Sequence, residues 1–471
     1  MERRQQRKER SHMLRNILFG IGLACIGFLV LFGVMTVLVQ QIEKSADYQA
    51  FVELMQDTDV SWTTLELTLV FLLFFISGMA VTLPEAVKEG LTNQLIGAND
   101  TGNILSIFGI DLNQVLEPLS FRAEYGSPFL SIFGIGLFLI LFLVLRIGAT
   151  RVTWTIRTIS FLAASFVLFA FTFNTALGID VLTIDQATVW NGIFILLFLT
   201  GLFYLAFYPR QLSGMSAASR AAIIILMVAS SAQLFFTVTD EAKYEGDAST
   251  RTWLTVSSLN AGSDGWYDLM HGSQVTYKAN VLGARLNVPV TFLNGETDVT
   301  RLKRSMEDVV NRIDAERVTN QLLTVIGGER PDLSNTRLTL DAVDYGTARN
   351  VVLAVDARSA GQTAAADQVE QDKPFPFWLF LIVPFVVYLL VSIRAFKKIY
   401  DPVVFAVATS LISWFICSLT GTSFALLWQD EALVRFSQET ATVTTILYAT
   451  VLALIAGFIG YAIKRQHHGD R

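Results

Sequence analysis

Charge is scarce in this chain. Only 16% of its 471 residues are Asp, Glu, Lys or Arg, whereas 52% are hydrophobic, a balance too apolar for an ordinary soluble protein. Cysteine is scarcer. Cys25 and Cys417 are the only two. Both fall inside apolar runs, where they can neither staple a polar domain nor complete a zinc site. Catalytic spacings are missing as well. The chain has no Walker loop, no glycine-rich dinucleotide fingerprint after a strand, no G-x-S-x-G and no H-E-x-x-H, so no cofactor, metal or catalytic constellation is implied. Positive charge is not in excess. The net charge is −6, essentially all of it carried by residues 239–374, which argues against nucleic acid and against anionic lipid headgroups as partners.

What the chain has is apolar length. Runs of about 18 or more apolar residues read as membrane helices, and they occur at 14–39, 62–83, 128–147, 157–178, 188–208, 220–238, 375–396, 401–428 and 442–463. The first follows a basic leader (Arg3, Arg4, Arg7, Lys8, Arg10) but is too long for a signal peptide and reads as a retained anchor. In the last run Ala449, Ala453 and Gly457 recur every four residues, a spacing that lets helices approach closely.

Cationic loops stay in the cytoplasm. Arg146, Arg151 and Arg157 lie between the third and fourth runs, Arg210 and Arg220 between the fifth and sixth, and Arg394, Lys397 and Lys398 between the seventh and eighth. Lys464, Arg465 and Arg471 close the chain. The alternate loops are acidic or neutral. This pattern predicts cytoplasmic termini and an external block at 239–374. Two cytoplasmic termini need an even number of crossings, and nine runs give an odd one. The run 62–83 carries only Glu66 as a charge and reads as a span. The conflict is therefore expected in 84–127, where a weak apolar stretch from Gly102 to Leu116 carries Asp111 and reads as a re-entrant or broken segment. An amphipathic surface helix is the other reading of that stretch. Glu66 and Asp111 are the candidate intramembrane polar residues.

Within the external block, alternation predicts strands at Arg251–Ser257, Gln274–Val281, Leu286–Phe292, Arg337–Val343 and Asn350–Ala357. Pro289 donates no ladder hydrogen bond and predicts an edge strand. Helical spacing runs from Val299 to Ile313 and again to Ile326. Residues 359–374 read as a flexible linker. The stretch Gly262–Gly272 gathers Asp264, Trp266, Tyr267 and His271. Exposed aromatics in such a loop make a contact surface, the alternative being that they fold back onto the sheet.

The sequence thus predicts a polytopic α-helical membrane protein of about nine or ten transmembrane segments with one inserted extracytoplasmic α+β domain, an antiparallel sheet with helices on one face. Its regions are a basic cytoplasmic tail (1–13), an N-terminal membrane region (14–238), the α+β domain (239–358), the linker (359–374), a C-terminal membrane region (375–463) and a second tail (464–471). The expected partners are the lipid bilayer and either another protein or a second copy joined through membrane helices. The leading functional expectation is a non-catalytic membrane component whose outer domain binds a partner protein or an envelope polymer. The alternative is a transporter or channel for a neutral or hydrophobic solute, routed past Glu66 and Asp111. A membrane-embedded lipid-modifying enzyme is the third.

Overall fold

The computed structural model describes residues 2–44, 63–82, 119–125, 132–177, 183–184, 186–208, 213–241, 264–281, 284–293, 300–304, 337–359, 361–373, 375–419, 422–428 and 431–469. In chain order its elements are α1 (Glu2–Glu43), α2 (Thr64–Ser77), β1 (Met79–Thr82), β2 (Leu119–Tyr125), α3 (Ile132–Arg146), α4 (Arg151–Leu177), β3 (Thr183–Ile184), α5 (Gln186–Phe207) and α6 (Ser213–Glu241). Then come α7 (Asp264–Met270), β4 (Val275–Val281), β5 (Ala284–Thr291), β6 (Arg337–Thr339), β7 (Val343–Asp344), α8 (Tyr345–Ser359) and α9 (Thr363–Gln371). A 3-10 turn (Phe377–Leu381) leads into α10 (Ile382–Ala395), followed by α11 (Asp401–Leu419), β8 (Thr422–Trp428), β9 (Glu431–Thr440) and α12 (Thr442–Gly469).

Among the described residues, seven helices are long and apolar enough to cross a bilayer: α1, α4, α5, α6, the run Phe377–Ala395, α11 and α12. The chain is a multi-pass membrane protein. Its helices bury one face and leave large apolar side chains on the other. In α4, for example, Phe161 and Phe169 are buried while Ile159, Val167 and Phe171 are exposed, the distribution expected where lipid replaces water. Arg157 fastens one end of the bundle. Its Nε donates to Asn16 Oδ1 of α1 at 2.8 Å, and its Nη1 donates to the carbonyls of Leu145 and Ile147 at the end of α3, at 3.0 and 2.9 Å. Those carbonyls would otherwise lack partners at a helix C-terminus. The small residues of α12 do the packing their spacing predicts. Ala449 and Ala453 are fully buried, and a Cβ on Gly457 would lie 3.3 Å from Phe396 and Pro402.

The strands among the described residues join one nine-stranded sheet in the order β3-β1-β2-β8-β9-β4-β5-β6, with β7 also pairing β5. It caps one end of the bundle, because β3 lies between α4 and α5 and the β8–β9 hairpin between α11 and α12. The sheet is mixed rather than antiparallel, since β5 pairs β6 and β7 in parallel. It also reaches beyond residues 239–358, recruiting β1, β2, β3, β8 and β9 from the membrane regions. Residues 422–428, expected to finish a helix, form β8 instead.

The run 62–83, expected to be one span, is only partly helical. α2 has 14 residues, about 21 Å of helix against a hydrocarbon core of about 30 Å. Its start lies beside the end of α1, where Thr64 Oγ1 donates to Glu43 Oε1 at 2.9 Å. Ile76, near its other end, reaches an interior cavity shared with Gly27, Leu31, Leu141 and Leu196. Gly78, at φ +75°, then turns the chain directly into β1, back in the sheet. A positive φ is costly for residues with a Cβ, so glycine suits the reversal. α2 thus runs from beside the end of α1 into the bundle, and the chain then joins the sheet through β1. The stretch 84–118, including Asp111, lies outside the described residues, as do 251–263 and 305–336.

Three further expectations fail for physical reasons. Asn350–Ala357 is helical. Val351, Leu353 and Val355 alternate, but Ala348, Val351 and Val355 also satisfy helical spacing, and all three are buried. Short apolar runs leave that choice to the ends. Here Asp344 Oδ2 accepts from the backbone N–H groups of Gly346 and Thr347, at 3.1 and 3.3 Å, and caps a helix. The supposed linker contains α9, whose alanines favour helix and bring Ala366 against Ala354 and Ala357 of α8. Pro289 is not at an edge. It pairs opposite Thr276 and sits between the residues of β5 that pair with β6 (285–287) and those that pair with β7 (290 and 291), where no donor is required.

Gly20 and Gly22 offer a paired test of the α1–α4 contact. A Cβ on Gly20 would lie 2.4 Å from the Arg157 carbonyl, whereas one on Gly22 meets nothing within 4 Å. Gly20→Ala is expected to destabilise the protein by about 1–3 kcal/mol, and Gly22→Ala to be neutral or slightly stabilising. Thermal unfolding in mild detergent checks both.

Candidate functional site: an apolar cavity beside a buried polar wedge

The sheet and α8 do not close on each other completely. Between them lies a cavity of about 550 Å³. Strand alternation turns Tyr277 and Ala279 of β4, Leu286, Val288 and Val290 of β5, and Phe436 of β9 to the same face, as the pairings Tyr277↔Val288, Ala279↔Leu286 and Ala279↔Phe436 require. Tyr345, Ala348, Val352 and Leu353 of α8 and Leu302 line the other side. The small side chains of Ala279 and Ala348 leave the space. Tyr277, Phe436 and Val352 are about 40% exposed, so the cavity opens to the surroundings past an apolar rim.

Among the described residues, the cationic residues that touch this cavity are Lys278 and Arg349, and no carboxylate is among its lining. Lys278 presents its backbone only. It alternates with Tyr277 and Ala279, so its side chain lies on the opposite face, where it pairs with Glu439. Arg349 borders the cavity from α8. Its guanidinium carbon lies 5.4 Å above the Phe236 ring at the end of α6. Burial lowers the Arg349 pKa from its ordinary value. Phe236 belongs to an aromatic collar where bundle and sheet meet. Its ring is 4.9 Å from Phe377, Phe377 is 4.8 Å from Tyr345, and Trp266 is 5.1 Å from Phe292.

Trp266 does not lie in an exposed loop, and neither do its neighbours. Trp266, Tyr267, Asp268 and His271 are each at most 3% exposed. The segment forms α7, a seven-residue helix wedged between α6, α10, α11 and β4. Trp266, Tyr267 and His271 thus lie away from any contact surface, because their apolar rings fill the joint between bundle and sheet. Asp264 begins α7; its side chain lies outside the described set.

The polar atoms of the wedge find partners far away in the chain. Tyr267 Oη lies 2.7 Å from Ser413 Oγ of α11. His271 Nδ1 lies 2.8 Å from the Tyr267 carbonyl, which can only accept, so Nδ1 carries the proton. In the neutral imidazole Nε2 is then the acceptor, and Tyr388 Oη of α10 donates to it at 2.8 Å. Asp268 Oδ1 accepts from Thr445 Oγ1 of α12 at 2.6 Å and from Cys417 Sγ of α11 at 3.2 Å. Asp268 Oδ2 is buried without a hydrogen-bond partner. Burial pushes the Asp268 carboxyl up to about 6, against hydrogen bonds from Thr445 and Cys417 that lower it. It pushes the His271 imidazole down to about 4.

Glu66 serves its own helix. Its Oε2 accepts from Thr63 N and Thr63 Oγ1, both at 2.8 Å, while Thr63 Oγ1 accepts from Glu66 N, a capping box. Among the described residues, no three His, Cys, Asp or Glu side chains gather as metal ligands. Compared with family models, curated proteins and solved structures, the chain matches none.

The wedge gives a two-sided pH prediction. The folded state keeps a proton on Asp268 up to about 6, while the unfolded chain loses it near 4. That contribution is present at low pH and lost as pH rises through about 4–6. His271 behaves oppositely. The fold keeps it neutral down to about 4, while the unfolded chain protonates near 6.5, so its contribution is lost as pH falls through that window. Asp268→Asn should therefore leave a midpoint temperature that drops as pH is lowered from about 6.5 to about 4. His271→Gln should leave one that rises. Unfolding scans in detergent across this range read both slopes.

Proposed function

We propose that this chain is a non-catalytic integral membrane component that works by binding, and that its ligand is an apolar small molecule held between the sheet and α8. The cavity carries this reading. Its volume of about 550 Å³ lies within the range of ligand sites, about 300–1,000 Å³, and its lining among the described residues is mostly apolar, with Ser437, Gln438, Lys278 and Arg349 as the exceptions. The leading expectation from the sequence, docking of a protein or polymer by the outer domain, loses the aromatic loop as its surface once Trp266 and Tyr267 are internal.

The sheet end of the bundle is proposed to face outward. Arg146, Arg151, Arg157, Arg394, Lys397, Lys398 and Lys464 gather at the opposite end, which supports a cytoplasmic placement there. Counting the seven long helices and the 15-residue α3, and taking α2 as returning through Gly78 to β1 rather than crossing, gives eight crossings. An even count agrees with two cytoplasmic termini. Asp341→Cys on the sheet side should react with a membrane-impermeant maleimide on intact cells. Gln466→Cys should react only after permeabilisation. The reverse pattern would invert the assignment.

A second reading, transport, draws on Asp268 and His271, since ionisable groups within a helix bundle often serve proton relays. Flux of an apolar solute into reconstituted vesicles that disappears in Asp268→Asn would favour it.

The binding reading is tested by photo-crosslinking in native membranes with a neutral alkyl diazirine. Labelled peptides are expected from β4, β5 and α8, and Ala348→Trp, which fills the cavity, should abolish them. Labelling of those segments unchanged by Ala348→Trp, or confined to lipid-facing helix surfaces, would end this reading.

A further inference from the structure

We infer that the turn between α10 and α11, with the end of α12 beside it, is a docking surface for anionic phospholipid headgroups in the leaflet it faces. It stands apart from the cavity and holds whichever side of the membrane is cytoplasmic. The net charge of −6 disfavours anions only on average, because charge is segregated along the bundle. The 19-residue α11 runs about 29 Å from this turn to β8 in the sheet, and the described strands of the acidic block lie at the sheet end. The turn itself is basic. Asp401 is the only acid among residues 390–410, and it is 2% exposed. Its Oδ2 accepts from the backbone N–H groups of Lys397 and Lys398 at 2.7 and 2.9 Å, so it shapes the turn. Phe396 is buried against Phe405 and pins it. Lys464 Nζ of α12 donates to the Arg394 carbonyl at 3.1 Å, which brings Arg465 to the same corner. Arg394, Lys397 and Arg465 are exposed, and none pairs with a carboxylate among the described residues. Apolar side chains stand among these cations. Ile399 and Tyr400 are 66% and 51% exposed, and Lys398 Nζ lies 5.3 Å from the centre of the Tyr400 ring. Five residues joining two membrane helices reach about 18 Å at most, so the turn stays at the bilayer surface. There Ile399 and Tyr400 suit the acyl boundary, while ammonium and guanidinium donors suit headgroup phosphate. A soluble acidic partner would have to displace those headgroups.

The test uses the full-length protein in phosphatidylcholine nanodiscs. Ile399→Cys, in a Cys25→Ser background, carries an environment-sensitive fluorophore. A small, equal fraction of nitroxide-bearing phosphatidylglycerol or phosphatidylcholine, with identical acyl chains, serves as quencher. Quenching by the phosphatidylglycerol is expected to be at least about twofold stronger, within the roughly fivefold enrichment that one cation gives near an anionic lipid. Arg394→Gln with Lys397→Gln should remove the preference. Arg10→Gln with Arg151→Gln, which takes the same charge from α1 and α4, should leave it intact. Equal quenching by the two lipids overturns the proposal, as does a preference lost equally in both double variants, which would mark a diffuse field. A probe quenched by neither lipid places the turn in water, and the surface then belongs to a soluble partner. Should Arg394→Gln with Lys397→Gln fail to fold, the unaltered cations are compared at low and high salt. The preference should shrink at high salt, and one that does not shrink overturns the proposal.

Discussion

The antiparallel pairing of β4 with β9 is the joint on which the rest of the structure depends. It runs in register from Val275↔Thr440 to Val281↔Val434. On one side of it lie the strands recruited from the membrane regions, and on the other the strands that carry the cavity. The ladder does not stop at the strand ends. Ala441 N donates to the Gln274 carbonyl at 3.3 Å and Ser273 N to the Asp268 carbonyl at 3.1 Å. One turn further, Thr445 reaches Asp268. Register set in the sheet is thus passed directly to the wedge inside the bundle.

The wedge accounts for the joint closing in one way. An apolar contact tolerates small slips, because dispersion is short-ranged but undirected. Hydrogen bonds in a poorly polarisable interior do not, since a buried polar group without its partner costs about 1–3 kcal/mol. Tyr267, Asp268 and His271 each find partners on different helices, α11, α11 with α12, and α10. Sliding any one of those helices by a turn would strand at least one of these groups. Asp268 Oδ2, already unpaired, marks where satisfaction is incomplete. Protonation there removes the charge and with it most of the penalty.

How much of this is legible in the sequence follows from the range of the interactions involved. The long helices announce themselves, because about 20 apolar residues in a row match the thickness of a bilayer and little else. The β4 and β5 strands are equally plain, since Val275, Tyr277, Ala279, Leu286, Val288 and Val290 alternate. The wedge is not. Seven residues are too few to show a helical period, and the partners of Asp268 and His271 lie between 117 and 177 positions away. Ser413 is visible as a polar residue in a span, but nothing local ties it to Tyr267. α2 misleads in the opposite direction. Its apolar run is real, and only Gly78 and the short extended segment after it mark where helix gives way to sheet. Arg349 cannot be singled out without knowing that Asn350–Ala357 is helical, because that decides which way it points.

A cavity of this size is itself a physical problem, since protein interiors close to crystal-like density when they can. Here both walls are held apart from outside the cavity. The sheet wall is fixed by β9, which is tied to α11 and α12 through the hairpin. The helical wall is fixed at its start by the Asp344 cap and at its end by α9, with Arg358 and Lys303 both paired to Glu370 at 2.9 and 2.6 Å. Tyr345, between the walls, is wedged against Phe292 and Phe377 in the aromatic collar. Collapse would require breaking one of these anchors, so the space persists and its lining forgoes contacts. A ligand that supplies those contacts binds the folded state alone and stabilises it by mass action. The same rigidity that keeps the cavity open therefore also couples its occupancy to the joint between sheet and membrane.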